Sequence, residues 1–448
     1  MAKSRRGVQF QHRTNGDANG RRPDTSEDTS DPGSPSRLSA DGKAESEQPE
    51  ISEYEKKKQT FITRTIWTLI MIGGFFIAMF SGHIYIIGVV TALQIISFKE
   101  VIGIAQVPSR ARNLPFTRSL NWYFLGTTMY FLYGESVIYY FKHIVLVDRV
   151  LLPFATHHRF ISFMLYVIGF VFFVGSLQKG HYRFQFTQFA WTHMALYLIV
   201  VQAHFIMNNI FEGMIWFFLP ASLVITNDIF AYICGITFGR TQLIKLSPKK
   251  TVEGFVGAWI LTIVFGFAMT NVLMRSKYFI CPVNDLGANI FTGLSCTPNP
   301  VFIPQAYTLP SFLFALYPST FQIAPMQFHI LVFATFASLI APFGGFFASG
   351  LKRTFKVKDF GESIPGHGGI TDRMDCQFIM GFFAFMYYQS FIAVYRQSVG
   401  GVIEMAIQGL TVEEQVEVVK GLAKYLVNQG QVGGKVLECL GGELQLRR

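Results

Sequence analysis

Three observations on the 448-residue chain predict an all-α fold, a polytopic transmembrane helical bundle of about nine spans behind a disordered N-terminal tail. Hydrophobic residues make up 50% and charged residues only 15%, against about 25% charged in soluble domains. There are 47 Phe, more than a water-soluble core of this size hides. The apolar residues also gather into runs near the ~20 residues that a membrane helix needs. Together these exclude a disordered protein, a disulfide scaffold and an ordinary cytosolic globule. The net charge of +10 and the pI of 9.3 fit a cytoplasmic positive-inside bias better than nucleic-acid binding, so no nucleic acid is expected as a partner.

Residues 1–58 differ from the rest, being rich in Ser, Asp, Glu, Arg, Gly and Pro. Too few apolar residues offset the entropy of ordering, so the stretch reads as a disordered cytosolic leader. The early basic cluster of Lys3, Arg5 and Arg6 leads into no apolar run, which argues against a signal peptide. Lys56, Lys57 and Lys58 should hold this end in the cytosol.

Residues 59–400 read as a transmembrane catalytic domain, with apolar runs at 62–80, 83–98, 122–140, 160–177, 189–206, 213–236, 254–274, 328–347 and 376–395. Only Ser81-Gly82-His83 separates the first two, so they form a tight hairpin or one broken element. Charge tests the threading. Loop 99–121 carries Lys99, Arg110, Arg112 and Arg118, and loop 237–251 carries Arg240, Lys245, Lys249 and Lys250. Loop 348–375 carries Lys352, Arg353, Lys356, Lys358 and Arg373, and all three fall on one side if the N-terminus is cytosolic. Loop 275–327, poor in charge, falls on the other side with Cys281 and Cys296, where an oxidising lumen would let them pair. Cys234, Cys376 and Cys439 have no zinc-type spacing. Residues 401–448 form a tail whose 402–428 stretch alternates apolar and charged positions at helical spacing. It reads as an amphipathic helix, lying on the membrane or, more simply, packed on the bundle. His193 and His204 lie 11 residues apart in the fifth run, about three turns, and read as packing or headgroup contacts.

Two polar segments interrupt the apolar runs. The first extends from Ser349 to Asp375. Lys352, Arg353, Lys356 and Lys358 are four cations in seven residues, followed by Asp359, a glycine-rich turn, and two more carboxylates. Pro365-Gly366-His367-Gly368-Gly369 reads as a loop leading into a helix that starts near Ile370. Asp372 and Asp375, at i and i+3, then share one face of its first turn. Carboxylates beside a cationic run suit a hard divalent cation bridging phosphates. Gly368 and Gly369 let backbone N–H groups approach anionic oxygens, as nests and helix N-termini do. Taken separately, helix-dipole acids and a juxtamembrane basic run have structural explanations; their combination at a membrane boundary points to a phosphate-and-metal site. His367 is kept among the catalytic candidates, although a loop histidine is commonly a hydrogen-bonder.

The second segment holds Asn227-Asp228 and Ser247-Pro248-Lys249-Lys250-Thr251-Val252-Glu253-Gly254. Asp228 lies inside an apolar run, where an ionisable group is costly and becomes a functional candidate. Glu253 opens the next run and is a cap or dipole partner or a catalytic acid.

On these residues the chain resembles the phosphatidate cytidylyltransferase (CDP-diacylglycerol synthase) family. The family signature is similar from Ser349 through Lys352-Arg353, Lys358-Asp359, Pro365, His367-Gly368-Gly369 and Asp372-Arg373 to Asp375, with no departure at a polar position. The Asn227-Asp228 and Ser247–Gly254 stretches resemble its other shared region. The likeness covers roughly residues 60–440, and the leader and tail look like the eukaryotic, endoplasmic-reticulum type.

What the resemblance implies is CTP + phosphatidate → CDP-diacylglycerol + pyrophosphate, with one or two Mg²⁺ ions, at the cytosolic face of a multi-pass endoplasmic-reticulum protein. On that reading Asp359, Asp372 and Asp375 hold the metal, with Asp228 a further ligand. Lys352, Arg353, Lys358 and Arg373 hold phosphate oxygens, Arg suiting bidentate contacts, and Lys249 and Lys250 supply the opposite wall. Membrane lipid is the surrounding partner, and a homodimer stays open because any Phe-rich face can bury a symmetric interface. Two rivals remain: a membrane transporter of an anionic solute, which predicts inverted repeats that the sequence does not display, and a CTP-dependent lipid kinase, which would move the γ-phosphoryl instead.

Overall fold

A computed structural model describes residues 53–394 and 402–436, apart from 112–113, 115, 141–150, 245–246, 284–285, 309–319, 403–404 and 408. The expected leader up to residue 52, and Cys439, lie outside the described residues. The protein is a helical membrane bundle. Its first two helices, α1 (Glu53–Ser81) and α2 (His83–Ala111), form the expected hairpin about the single residue Gly82. There φ is +140° and a Cβ would stand 3.1 Å from the Ala288 carbonyl, so only glycine turns the chain this tightly. Helix α2 continues well past the apolar run that ends at residue 98.

Helices α3 (Thr117–Tyr140) and α4 (Leu151–Gly175) are antiparallel. Tyr123 Oη donates to the Leu165 carbonyl at 2.7 Å, and His158 Nε2 donates to the Phe131 carbonyl at 3.0 Å. Helix α5 (Tyr182–Glu212) is interrupted by a π-helical turn at Leu196–Val201, where the Val200 carbonyl accepts from Gln94 Nε2 at 2.9 Å. Both histidines of α5 face α3: His193 packs on Phe124, and His204 Nε2 lies 3.0 Å from Ser136 Oγ.

Helix α6 (Met214–Phe238) leads through an antiparallel hairpin, β1 (Gln242–Ile244) and β2 (Ser247–Thr251), into α7 (Val252–Leu273). Lipid tails offer little hydrophobic drive between helices, so close approach through small residues carries the packing. A Cβ at Gly254 of α7 would stand 2.8 Å from the Ala231 carbonyl of α6. Beyond α7 the chain forms a cap on the side opposite the β1–β2 hairpin. It holds the Cys281–Cys296 disulfide and a second hairpin, β3 (Gln305–Thr308) with β4 (Thr320–Ile323). Tyr278 anchors this cap by donating its hydroxyl to the Met79 carbonyl at 2.6 Å, and burial pushes that hydroxyl's pKa up to about 12. Helices α8 (Met326–Leu339) and α9 (Pro342–Thr354) follow almost end to end, then α10 (Thr371–Phe391) and the separate α11 (Val412–Asn428). The core centres on Trp216 of α6, fully buried against Phe302, Phe333 and Tyr388.

Among the described residues, seven segments are long and apolar enough to cross a membrane: α1, α2, α4, α5, α6, α7 and the α8–α9 pair. The other two of the nine expected runs fall in α3 and α10, which carry charged residues: Arg118 and Glu135 in α3, Asp372, Arg373 and Asp375 in α10. Both nevertheless traverse the body. Tyr140 at the end of α3 donates to Glu212 at 3.0 Å, and Ile392 just past α10 accepts from Asn299 of the cap at 3.2 Å. The amphipathic stretch is helical over Val412–Asn428, with Thr411 and Glu414 forming a reciprocal capping box. The packed arrangement does not occur: no residue of α11 is buried, and Val412, Val419 and Leu422 are exposed. Capping satisfies the helix start locally, so the element forms without a bundle partner.

Candidate active site

The polar segments converge at the end of the bundle away from the disulfide cap. Helix α9 ends in Lys352 and Arg353, its cations placed where the helix C-terminus favours positive charge. The loop from Phe355 to Ile370 doubles back, pinned by a bridge between Ile364 and Gly368, and enters α10.

Asp372 is the hub of this loop. Its side chain is 7% exposed, and Oδ1 accepts from Lys352 Nζ at 2.6 Å. Oδ2 accepts from the Phe360 amide at 3.0 Å and the Gly369 amide at 3.2 Å. Lys352 also lies over the Phe360 ring, 5.6 Å from its centroid. A charge-assisted pair carrying further hydrogen bonds is how a buried ion pair becomes affordable. Its effect is to tie α9, the loop and α10 together.

Glu100 of α2 is the second hub, 8% exposed. Oε1 accepts from the Ile370 amide at 3.0 Å and from the Ser363 hydroxyl, and Oε2 accepts from the Thr371 amide at 2.8 Å. The α10 N-terminus therefore has its cap supplied in trans, by a carboxylate from another helix sitting where the dipole favours negative charge. Gly369 makes both hubs possible: a Cβ there would stand 2.7 Å from Glu100 Oε2 and 3.0 Å from Asp372 Oδ2. Glu100 was not among the sequence candidates, because it follows Lys99 at the end of an apolar run and reads as a loop charge. The signal that finds it is the extension of α2 to Ala111, which makes Glu100 an acid inside a membrane-spanning helix.

Asp375, one turn into α10, lies against α9. Its Oδ1 accepts from the Cys376 amide at 2.7 Å, and a Cβ at Gly345 would stand 3.3 Å from Oδ2. Asp228 of α6 is near enough for the two carboxylates to act on each other electrostatically. Lys250 Nζ, from β2, is 3.9 Å from Asp228 Oδ1 and 5.3 Å from the centroid of Phe346 on α9. Asp228 and Lys250 thus meet from two segments, with Asp375 within electrostatic reach of Asp228. Lys249 shares β2 with Lys250, but its side chain lies outside the described residues.

The remaining candidates sit on the loop surface. Asp359 packs beside Gly368, where a Cβ would stand 3.1 Å from its Cγ. Arg353, Lys358 and Arg373 are exposed, and Arg373 Nη2 donates to the His367 carbonyl at 3.0 Å. His367 makes loop contacts, its Nε2 lying 3.1 Å from Thr68 Oγ1 of α1.

Among the described residues no three His, Cys, Asp or Glu side chains gather as a metal-holding group. Asp372 accepts from Lys352 and two amides, Asp359 stands on the turn, and Asp228 and Asp375 lie within electrostatic reach of each other. The Gly369 amide, read as a phosphate donor, is spent on Asp372. Glu253 does not cap α7. Thr251 does, accepting from the Gly254 amide at 3.2 Å, while Glu253 accepts from the Arg240 and Thr241 amides at 3.0 and 3.1 Å and ties the chain entering β1 to the start of α7.

Comparison with known proteins gives the same direction. The cytidylyltransferase family profile matches residues 62–391. A relative from Schizosaccharomyces pombe is 57% identical over 378 residues, covering 84% of this chain and 86% of its own. The phosphatidate cytidylyltransferase of Saccharomyces cerevisiae is 50% identical over 387 residues, 86% of this chain and 85% of its own. Human phosphatidate cytidylyltransferase 1 is 46% identical over 382 residues, 85% of this chain and 82% of its own.

Proposed function

The chain belongs to the cytidylyltransferase family, among its phosphatidate cytidylyltransferases, and from that premise we propose that it converts CTP and phosphatidate into CDP-diacylglycerol and pyrophosphate at the cytosolic face of the endoplasmic-reticulum membrane. The observation that carries this reading is the meeting of Asp228, Lys250 and Asp375 beside the cationic end of α9. An anionic lipid headgroup and a nucleoside triphosphate both need such a place, at a membrane boundary.

In the proposed step a phosphatidate oxygen attacks the α-phosphorus of CTP, in line with the departing pyrophosphate. The attacking oxygen is already anionic, so no strong general base is required, and alignment and charge neutralisation supply the rate. Exposed Arg353, Lys358 and Arg373, with Lys250 opposite, hold the phosphate oxygens; guanidinium forks suit two oxygens at once. Lys352 and Asp372 keep the loop in place, and Asp359 stands at its rim. Mg²⁺ commonly takes one or two protein carboxylates and completes its shell with water and substrate phosphate. The Asp228–Asp375 pair fits that donor set, with Gly345 leaving the space at Asp375 Oδ2 clear. When bound there, Mg²⁺ supplies charge neutralisation on the triphosphate. A second ion would have Asp359 to turn to.

The reading is tested with the purified full chain in detergent, phosphatidate, Mg²⁺ and α-³²P-CTP. Label should enter the lipid with one pyrophosphate released per lipid labelled. Asp375→Asn and Asp228→Asn should each lower kcat by about a hundredfold or more, the scale of losing a preorganised electrostatic group. Release of CDP with γ-phosphoryl entering the lipid would make the chain a kinase. A folded chain that turns over neither would return the transporter to the front.

A further inference from the structure

Helix α1 meets the rest of the protein at its two ends. At the capped end, the Met79 carbonyl accepts from Tyr278 and Phe76 packs on Phe218, with ring centroids 6.0 Å apart. Between the ends, Ile66, Leu69, Ile70 and Ile72 are exposed and face the bilayer. At the other end two polar side chains, Arg64 and Thr68, stand at i and i+4 on one face of the helix. Both reach the glycine-rich turn.

Arg64 Nε donates to the Gly366 carbonyl at 2.9 Å. Gly366 has φ +77°, and a Cβ there would stand 3.1 Å from Arg64 Cγ, so the guanidinium stem lies flat on the turn. Thr68 Oγ1 donates to the Arg64 carbonyl at 2.9 Å and lies 3.1 Å from His367 Nε2, whose Nδ1 faces the Pro365 carbonyl at 3.4 Å. The turn they hold is mechanically continuous with the site. The His367 carbonyl takes Arg373, Gly368 packs on Asp359, and the Gly369 amide takes Asp372. Glu100 of α2 grips the same loop at Ser363, Ile370 and Thr371. The α1–α2 hairpin therefore closes on the loop with a side chain from each arm. The α2 arm is buried; the α1 arm is two hydrogen bonds on a lipid-facing helix.

We propose that Arg64 and Thr68 are positioning residues for the transfer reaction, latching the lipid-facing helix α1 to the Pro365–Gly369 turn so that Asp359, Asp372 and Arg373 are held in register with the substrates. The proposal rests on the cytidylyltransferase reading above. Neither residue is among the groups assigned to substrate or metal, so their loss should act on turnover and leave ground-state binding alone.

The test compares the full-length wild type with Arg64→Ala, Thr68→Val, the double variant, and the conservative Arg64→Lys and Thr68→Ser, all assayed as above. Arg64→Ala and Thr68→Val should each lower kcat about tenfold with KM for CTP and phosphatidate within about twofold, the pattern of a contribution expressed only in the transition state. Because both hold one turn, the double variant should lose less than the product of the single losses. Thr68→Ser should restore wild-type turnover and Arg64→Lys part of it, with melting temperatures unchanged across the set. A double variant that turns over at the wild-type rate overturns the latch. So does a loss that follows a falling melting temperature and persists in Thr68→Ser, because that is scaffold damage. A folded wild type that leaves no label in the lipid overturns the enzymatic reading itself, a result the variants do not enter.

Discussion

Gly369 shows how far a single residue type can be read and where the reading stops. A glycine before a helix grants close approach, and the sequence presents it as approach to substrate phosphate. The structure assigns that space to two protein carboxylates, Glu100 and Asp372. Gly369→Ala would place a methyl 2.7 Å from Glu100 Oε2 and 2.9 Å from the Gly361 backbone nitrogen, and Glu100 cannot retreat without losing its hydrogen bonds. Overpacking of this kind costs about 1–3 kcal/mol. The variant should melt at a lower temperature in detergent and lose most of its turnover; an alanine protein as active and as heat-resistant as wild type would contradict the two-hub description. The polar motif itself was legible, because its residue types are rare in an apolar chain. Glu100 was not, since its partners lie 263 to 271 residues further along and no local pattern links them.

At the scale of elements, helix positions followed from apolar runs and helix ends did not. Helix α2 runs on to Ala111 because Glu100 and its neighbours are covered by other parts of the chain, which hydropathy cannot register. The π-turn in α5 was equally hidden: it is expressed as a Gln94 contact to the Val200 carbonyl, not as a composition. Helix α11 is the opposite case, set by its own residues. The Thr411 amide and hydroxyl both donate to the Glu414 carboxylate and hold its pKa below the usual range. A depressed carboxyl pKa contributes stability that is present above the unfolded value and lost as pH falls through the folded one. The first turn of α11 should therefore fray on acidification, seen as falling amide protection factors at Glu414 and Gln415, each rate divided by its intrinsic rate at that pH. In Glu414→Gln that pH dependence should vanish; its survival would show that the box does not hold the helix start.

For the molecule as a whole, the positive-inside expectation assigns the cationic end to the cytosol, a threading that labelling can test. The cationic segments after α6 and at the end of α9 share the end that carries the site, and the disulfide cap occupies the other. Phe291 on the cap is 91% exposed, and Lys356 lies exposed on the site loop. In sealed microsomes an impermeant maleimide should reach Lys356→Cys at once and Phe291→Cys only after the membrane is opened. Labelling of both in sealed vesicles would break the proposed threading. The number of crossings was only partly legible, because α3 and α10 carry polar residues that suit their neighbours in the bundle better than lipid. The same long-range assembly has a consequence for how the chain is made. Glu100 leaves the ribosome 271 residues before the Thr371 amide that it caps. At about 5–20 residues per second, that is roughly 15–50 s during which a carboxylate stands at the membrane without its loop. A nascent chain stalled anywhere between α2 and α10 would display that acid unpaired, a mark by which cellular quality control could tell an unfinished copy from a finished one.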